Sequence, residues 1–500
     1  MDRNNRSAHG RILPRALVTG LAWLLASCLA GRAQAPQAET SPGDRVDKIF
    51  AQFSKLDSPG CAVAVIRDGS IIFKRGYGMA DLDRGTAITP TTVFHAASLA
   101  KQFTAMSIML LVQQGKLSLD DDVTKHVPEL KVGKPIITIG DMLRHISGIR
   151  DQWVLVTMAG WRLYDDLVTR DDILGLVERM NSLDFDPRTD FIYSNTGYTL
   201  AGLIVERVSG RSLADFARDN IFQPLGMKDT VITATHGQIV PNRAYGYRQP
   251  DGQPFELFMP NLDVTGPTNL LTTVEDLARW DRNFDDKTVG GDFVLSKMID
   301  GSHAQMAPDV GYGLGLQITK YHGLNVIEHD GRDAGYRSHL IRFPDQHFAV
   351  ACLCNQALPE DNLPRRLVRE VADVYLADRF AEVPRRAALT GVDDAPEVTS
   401  GTADLAEYAG RYYSKEIDTT YTIEVQDRSL MMKRYKYPTA RLTRRTDDLY
   451  TIRDFSRPLA TAVVRFTRQQ SDQKIDGFLM SGKNIAHIER LRDSRFTKIP

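Results

Sequence analysis

The stretch His95–Met106 reads "HAASLAKQFTAM", and in it Ser98 is followed three residues later by Lys101. That spacing puts both side chains on one face of a helical turn, within reach of each other. The first turn of a helix carries partial positive charge, which disfavours a cation. Apolar surroundings disfavour it again, so both effects push Lys101 towards its neutral, basic form. A neutral amine beside a serine hydroxyl is a proton acceptor beside a nucleophile. The unpaired N–H groups of a helix tip point outward near Ser98 and can receive a developing oxyanion. The spacing alone is weak evidence. Ser471 and Lys474 repeat it inside a β-rich tail, and a helix cap with a solvated lysine gives the same pattern.

A second element is "YSNTGYTLAGLIVERVSG", which carries the chain's one Tyr-x-Asn triplet, Tyr193-Ser194-Asn195. A phenol titrates near pH ~10, but a neighbouring lysine favours its anion, so Tyr193 can shuttle a proton. Asn195 offers an amide donor and an acceptor to a substrate amide or ester. A third element is "EHDGRDAGYRS", with His329-Asp330-Gly331 on a strand before a tight turn. A cation or donor at His329 and a side-chain-free Gly331 would let a substrate carbonyl lie against the strand edge.

In this order the three stretches resemble the serine β-lactamase and penicillin-binding-protein superfamily, in its class C-like branch. The resemblance runs from about residue 45 to 378 and includes "ITIGDMLRHISGI", "FQPLGMKDT", "LLTTVEDLARW" and "GYGLGL". It implies an acylated Ser98 with Lys101 as its partner, Tyr193 as the tyrosine base, Asn195 beside it, and His329 to Gly331 as the third motif. It also implies an oxyanion hole built from the N–H groups of Ser98 and Arg332. The expected activity is hydrolysis of an amide or ester through an acyl-enzyme, as a peptidase, esterase or β-lactam hydrolase, with no cofactor and no metal. Two departures stand out. Histidine replaces the lysine of many third motifs, which weighs against a dedicated β-lactamase, and Arg188 stands where the family commonly has glycine. A catalytically silent binding or sensor protein on the same fold is the alternative. A metallohydrolase finds little support, because the 11 histidines form no His-Glu-x-x-His. No Gly-x-Ser-x-Gly elbow supports an α/β-hydrolase.

The elements that must position these residues are legible in outline. "CAVAVIRDGSIIFKRGYG" reads as a hairpin around Asp68-Gly69. The run after Lys101 is apolar over most of its circumference and stops at Gly115, which predicts a central helix. Thr138 and Asp141 are spaced as a capping box for another helix. "YTLAGLIVERVSG" and "LLTTVEDLARW" predict two more. From Val326, "VIEHDGRDAGYRSHLIRFPDQHFAVACLCNQ" reads as three strands, and "LPRRLVREVADVYLADRF" as a closing helix. Strands, a long helical insertion, strands and a helix predict an α/β (α+β) fold with one antiparallel sheet packed between helices. That hydrolase domain is expected over 44–380, a linker over 381–401, and a small all-β barrel over 402–497 that resembles the lipocalin-like barrels appended to some family members. The aromatic segments "WVLVTMAGWRLYDD" and "YGYRQPDGQPFELFMP" either shape the cleft or pack as a lid without touching substrate.

With 500 residues, 42% hydrophobic and 25% charged, the chain has the composition of a globular protein of more than one domain. A net charge of −1 and the lack of a basic run leave no footprint for nucleic acid. Arg3, Arg6, Arg11 and Arg15 precede "ALVTGLAWLLASCLAG", which predicts a signal peptide over 1–35 and export to the periplasm. Cleavage after Ala35 competes with a lipoprotein box ending at Cys28, which would anchor the N-terminus to a membrane through a lipid. Beyond the substrate, no partner or oligomeric state is legible. Cys61, Cys352 and Cys354 sit in apolar runs as buried thiols, and neighbouring strands would allow one disulfide to Cys61.

Overall fold

The computed structural model describes residues 41–133, 135–307, 309–357, 363–381, 404–456, 459–483 and 489–500. The expected leader, Cys28 and all but the first residue of the expected linker lie outside these. Among the described residues no helix is long and apolar enough to cross a membrane.

An eight-stranded antiparallel sheet forms the centre. Its strands in chain order are β1 (Cys61–Arg67), β2 (Ser70–Tyr77), β3 (Gln305–Ala307), β4 (Val310–Tyr312), β5 (Gln317–Tyr321), β6 (Leu324–Asp333), β7 (Tyr336–Phe343) and β8 (Phe348–Cys354). They lie in the order β3-β4-β5-β6-β7-β8-β1-β2. The hairpin at Asp68-Gly69 and the three strands after Val326 are as expected. The short strands β3 to β5 carry no long alternating run, and the sequence did not reveal them.

Both faces of the sheet are covered, which explains why "CAVAVI" is apolar throughout. Cys61, Val63 and Val65 pack with Phe348, Val350 and Cys352 beneath α1 (Pro42–Phe50) and Leu367, Val368 and Val371 of a C-terminal helix over Leu363–Leu376. The alternate residues, Ala62, Ala64 and Ile66 with Ala349 and Ala351, join the larger core built on α2 (Ala100–Gln113). Every α2 residue from Ala100 to Leu111 is buried, so the helix is central as its sequence predicts. Cys61 is paired in register with Cys354, and a disulfide joins them, leaving Cys352 as a buried free thiol.

The helical insertion includes α3 (Ile139–Leu143), capped by the Thr138–Asp141 box. After it come α4 (Gln152–Met158), α5 (Arg170–Arg179) and α6 (Asn195–Ser209).

The C-terminal part is a closed eight-stranded barrel: β9 (Gly410–Ser414), β10 (Thr419–Gln426), β11 (Ser429–Arg434), β12 (Tyr437–Thr446), β13 (Leu449–Arg453), β14 (Thr461–Arg468), β15 (Ile475–Lys483) and β16 (Glu489–Ile499). Ser471 and Lys474 fall in its turn between β14 and β15, where Lys474 pairs with Asp472 at 3.1 Å. The barrel docks on α4 and the loop after it: Tyr421 donates to the Met158 carbonyl at 2.7 Å and Tyr437 to that of Trp161 at 2.8 Å. The segment "WVLVTMAGW" is therefore largely a docking surface, where the sequence left open a cleft wall or a packed lid.

At the heart of this interface Arg150, 1% exposed, donates to Glu416 Oε2 at 2.8 Å and to the Arg492 carbonyl at 2.9 Å, with Asp184 Oδ1 at 3.6 Å. Burial pushes the Asp184 carboxyl up to about 7 and also raises Glu416. Removing Arg150 would leave two buried carboxyl groups without their cation, with only the Arg492 N–H on Asp184 and the Ser494 hydroxyl on Glu416. Arg150→Ala is expected to cost about 3 kcal/mol of stability. Urea denaturation of the full chain measures this, and a loss under about 1 kcal/mol would refute the network's role.

Candidate active site

The turn that carries Ser98 is built by backbone constraint. Ser98 lies in a 3₁₀ turn, Ala97–Leu99, that feeds α2, and no side chain caps the N-terminus of α2. Ala97 has φ +48°, a left-handed conformation that a residue with a Cβ adopts only when its surroundings impose it. Its N–H donates to His95 Nδ1 at 3.1 Å. Burial lowers the pKa of His95, whose Nε2–H then faces Asn269 Oδ1 at 3.3 Å.

Lys101 is 0% exposed. Its Nζ lies 2.9 Å from Ser98 Oγ, 2.9 Å from Asn195 Oδ1 and 2.9 Å from the Pro267 carbonyl. Burial, opposed by the carboxylates of Asp333 and Asp151, lowers its pKa to about 7. The neutral amine has two hydrogens for the two acceptors that cannot donate, and one lone pair for the hydroxyl that can. The three contacts therefore suit a base that takes the Ser98 proton.

Tyr193 precedes α6, and its ring centre is 4.9 Å from Lys101 Nζ. Desolvation pushes its pKa well above the ordinary value, and the Ser98 hydroxyl offsets this only in part. The sequence argument expected the lysine to favour the phenolate. A lysine that is itself near neutral offers little charge, and burial of the phenol wins. Tyr193 is thus a protonated phenol over the working range, able to donate and relay.

Asn195 opens α6 with both ends of its amide engaged. Oδ1 accepts from Lys101, while Nδ2 and the backbone N–H each donate to Asp151 Oδ2 at 2.7 Å. These bonds make it a brace between Asp151 and Lys101, a role beyond the expected contact with substrate.

His329 and Gly331 lie on β6. The ladder from β5 ends at Glu328, so residues 329–333 turn that edge towards the Ser98 turn. His329 is buried, with Nδ1–H donating to the Asp330 carbonyl at 2.6 Å and Nε2 accepting from Tyr312 at 2.9 Å. Burial pushes its pKa down to about 4, so it is neutral at pH 7; of the two expectations, cation or donor, only the cation fails. A Cβ on Gly331 would lie 2.4 Å from the Ala96 carbonyl and 2.3 Å from Ser338 Oγ. The missing side chain therefore admits the Ser98 turn, whereas the expectation was room for a substrate carbonyl. Arg332 follows on the same strand with its side chain exposed.

Sequence reasoning missed several neighbours. Buried His145 packs on Tyr193 at 4.2 Å between ring centres and accepts the Ser194 N–H at 3.1 Å through Nδ1. Tyr312, in "GYGLGL", holds His329. In the same motif, Gly315 at φ +75° brings its would-be Cβ 2.8 Å from the Lys101 carbonyl, so only glycine lets this loop reach α2. Arg188, where a glycine was expected, has φ +70° and is tethered by its N–H to the Ile146 carbonyl and by Nη1 to Asp141. The loop thus keeps the glycine-like backbone despite the substitution.

A cavity of about 670 Å³, lined by Tyr245 and Met259 among others, lies elsewhere; neither Ser98 nor Tyr193 lines it. Among the described residues only Cys61, Cys352 and Cys354 cluster closely enough to hold a metal, and two of them form the disulfide.

A mixed α/β domain that brings together Ser98 at a helix start, the buried Lys101 and Tyr193 just ahead of α6 has the architecture of the serine hydrolases of the β-lactamase type. The Beta-lactamase family model matches residues 46–373, and the chain belongs to that family. It is 29% identical over 310 residues to the D-aminopeptidase of Gluconobacter oxydans (strain 621H), covering 61% of this chain and 58% of that protein. It is 30% identical over 330 residues to Protein flp of Staphylococcus aureus (strain N315), covering 62% of each. The chain thus spans about three fifths of these relatives. The octameric penicillin-binding protein homologue from Pyrococcus abyssi shares the fold over 92% of this chain and 100% of its own, with a TM-score of 0.61 at 21% identity.

Proposed function

We propose that this chain is an exported serine hydrolase that cleaves an amide next to a D-configured residue through an acyl-enzyme on Ser98. The observation that carries the chemistry is the Lys101 amine, 2.9 Å from Ser98 Oγ and with its pKa lowered to about 7. Ser98 Oγ bonds to the substrate carbonyl carbon as its proton passes to Lys101. The N–H groups of Ser98 and Arg332 receive the oxyanion, a role supported by the close packing of β6 on the nucleophile's turn. The C–N bond then breaks, and the proton reaches the leaving amine through the Tyr193 phenol. Water attacks the resulting ester, again losing its proton to Lys101, and regenerates Ser98. The D-preference draws on the similarity to the D-aminopeptidase. Export draws on the arginine-flanked apolar run and on Cys61 lying in register with Cys354.

The test is a hydrolysis panel on the full chain: D-alanine p-nitroanilide, its L-isomer, a p-nitrophenyl ester and a chromogenic cephalosporin. The D-amide is expected to exceed the L-amide in kcat/KM by at least about tenfold. Equal rates for the two isomers would remove the D-preference. No turnover of any of the four would overturn the hydrolase reading.

A further inference from the structure

The last barrel strand breaks register where it meets the hydrolase domain. Gly482 faces Leu491 and Lys483 faces Glu489, so Arg490 is the extra residue of a bulge between β15 and β16. A bulge re-aims a side chain away from the ladder's alternation. Two residues on, the strand is pinned: the Arg492 N–H donates to Asp184 Oδ1 at 2.8 Å and its guanidinium reaches Asp190 Oδ2 at 2.6 Å. The Arg490 guanidinium carbon lies 5.4 Å from the centre of the Tyr193 ring, and Nη2 lies 3.5 Å from Asp151 Oδ2. Asp151 is the carboxylate that braces Asn195, which in turn holds Lys101.

We infer that Arg490 is a positioning residue for acylation, holding Asp151 and capping Tyr193 so that Asn195, Lys101 and Ser98 stay aligned, and that the barrel is therefore a working part of the active site. The inference rests on the acyl-enzyme reading above. Its electrostatic side follows from the groups that face Lys101. Asp333 and Asp330 from β6, and Asp151 from the segment before α4, favour the ammonium, whereas Arg490 from β16 opposes it. Tyr193, Tyr198, His145 and His329 complete the surroundings, and burial keeps both phenols protonated and both imidazoles neutral at pH 7. With an Arg490 side chain only 15% exposed, solvent screens its charge poorly.

The test is the rate at which a fluorophosphonate labels Ser98 between about pH 5.5 and about pH 9.5, in the full-length wild type, Arg490→Met and Arg490→Lys. Arg490→Met is expected to react roughly 10- to 100-fold more slowly at pH 7. Its acid limb should move up by about one pH unit, because three carboxylates then hold the proton on Lys101 unopposed. Arg490→Lys keeps the charge but not the fork, and should keep the limb in place while losing roughly 3- to 10-fold in rate. A rate within twofold of wild type in Arg490→Met, or an equal loss at every pH with the limb unmoved, overturns the inference. If Arg490→Met does not fold, Arg490→Lys decides, and an unchanged rate in that variant overturns it. Wild-type protein that is not labelled at Ser98 overturns the acyl-enzyme reading itself, a failure visible before any variant is compared.

Discussion

Replacing Ser98 with alanine is expected to lower kcat/KM on the best substrate by at least about 10³-fold and to abolish labelling by a fluorophosphonate. The loss is large because the covalent route needs an oxygen at this position, and no neighbour can supply one in the same geometry. Thr104 donates to the Gly266 carbonyl at 2.8 Å and Ser107 to that of Phe103 at 2.8 Å, so both hydroxyls are committed within the helix packing. The substitution removes one half-buried oxygen and leaves the strained Ala97 turn to its existing supports, so the thermal midpoint should move by less than about 3 °C. Activity measured beside the unfolding curve of the same sample separates chemistry from folding. Residual turnover above about a tenth of wild type would show that Ser98 is not the nucleophile.

The second large effect is expected of Lys101→Met, which keeps the length of the side chain and deletes the base. Loss of a positioned general base costs roughly 10²- to 10⁴-fold. The pH profile is the sharper readout. The reactive form is the neutral amine, so wild-type activity should fall as pH drops through about 7, tenfold per unit well below it. In the methionine variant the residual rate should lose that limb. A limb that survives the substitution would belong to another group, and Lys101 would then be structural.

The chemistry of this site is legible in the sequence where it is local. Ser98 and Lys101 are three residues apart at a helix start, and helix geometry alone brings them together. Tyr193 and Asn195 are recognisable because they open a helix whose apolar pattern is plain. Protonation was less accessible. The anionic Tyr193 expected from residue types, and the cation that was one of the two readings of His329, give way to burial, and burial depends on Tyr312, His145 and Phe191 closing around them. Nothing local marks Asp151, after "SGIR", because its bonds to Asn195 cross 44 residues. Arg490 was still less visible, since the register break that aims it exists only once two strands have paired. The "WVLVTMAGW" segment shows the same limit: its aromatic and apolar content signalled burial, but the partner that buries it begins beyond residue 400.

The order of strands in the central sheet has a consequence for biogenesis. β1 is synthesised long before β8, one of its two neighbours in the sheet. Cys61 waits for a partner 293 residues downstream. Until then one hydrogen-bonding edge of β1 stays open, a template for mispairing with other chains. Non-local pairing of this kind also slows folding. The nascent chain therefore passes through a long interval in which its central sheet is unfinished and a holding chaperone has most to protect.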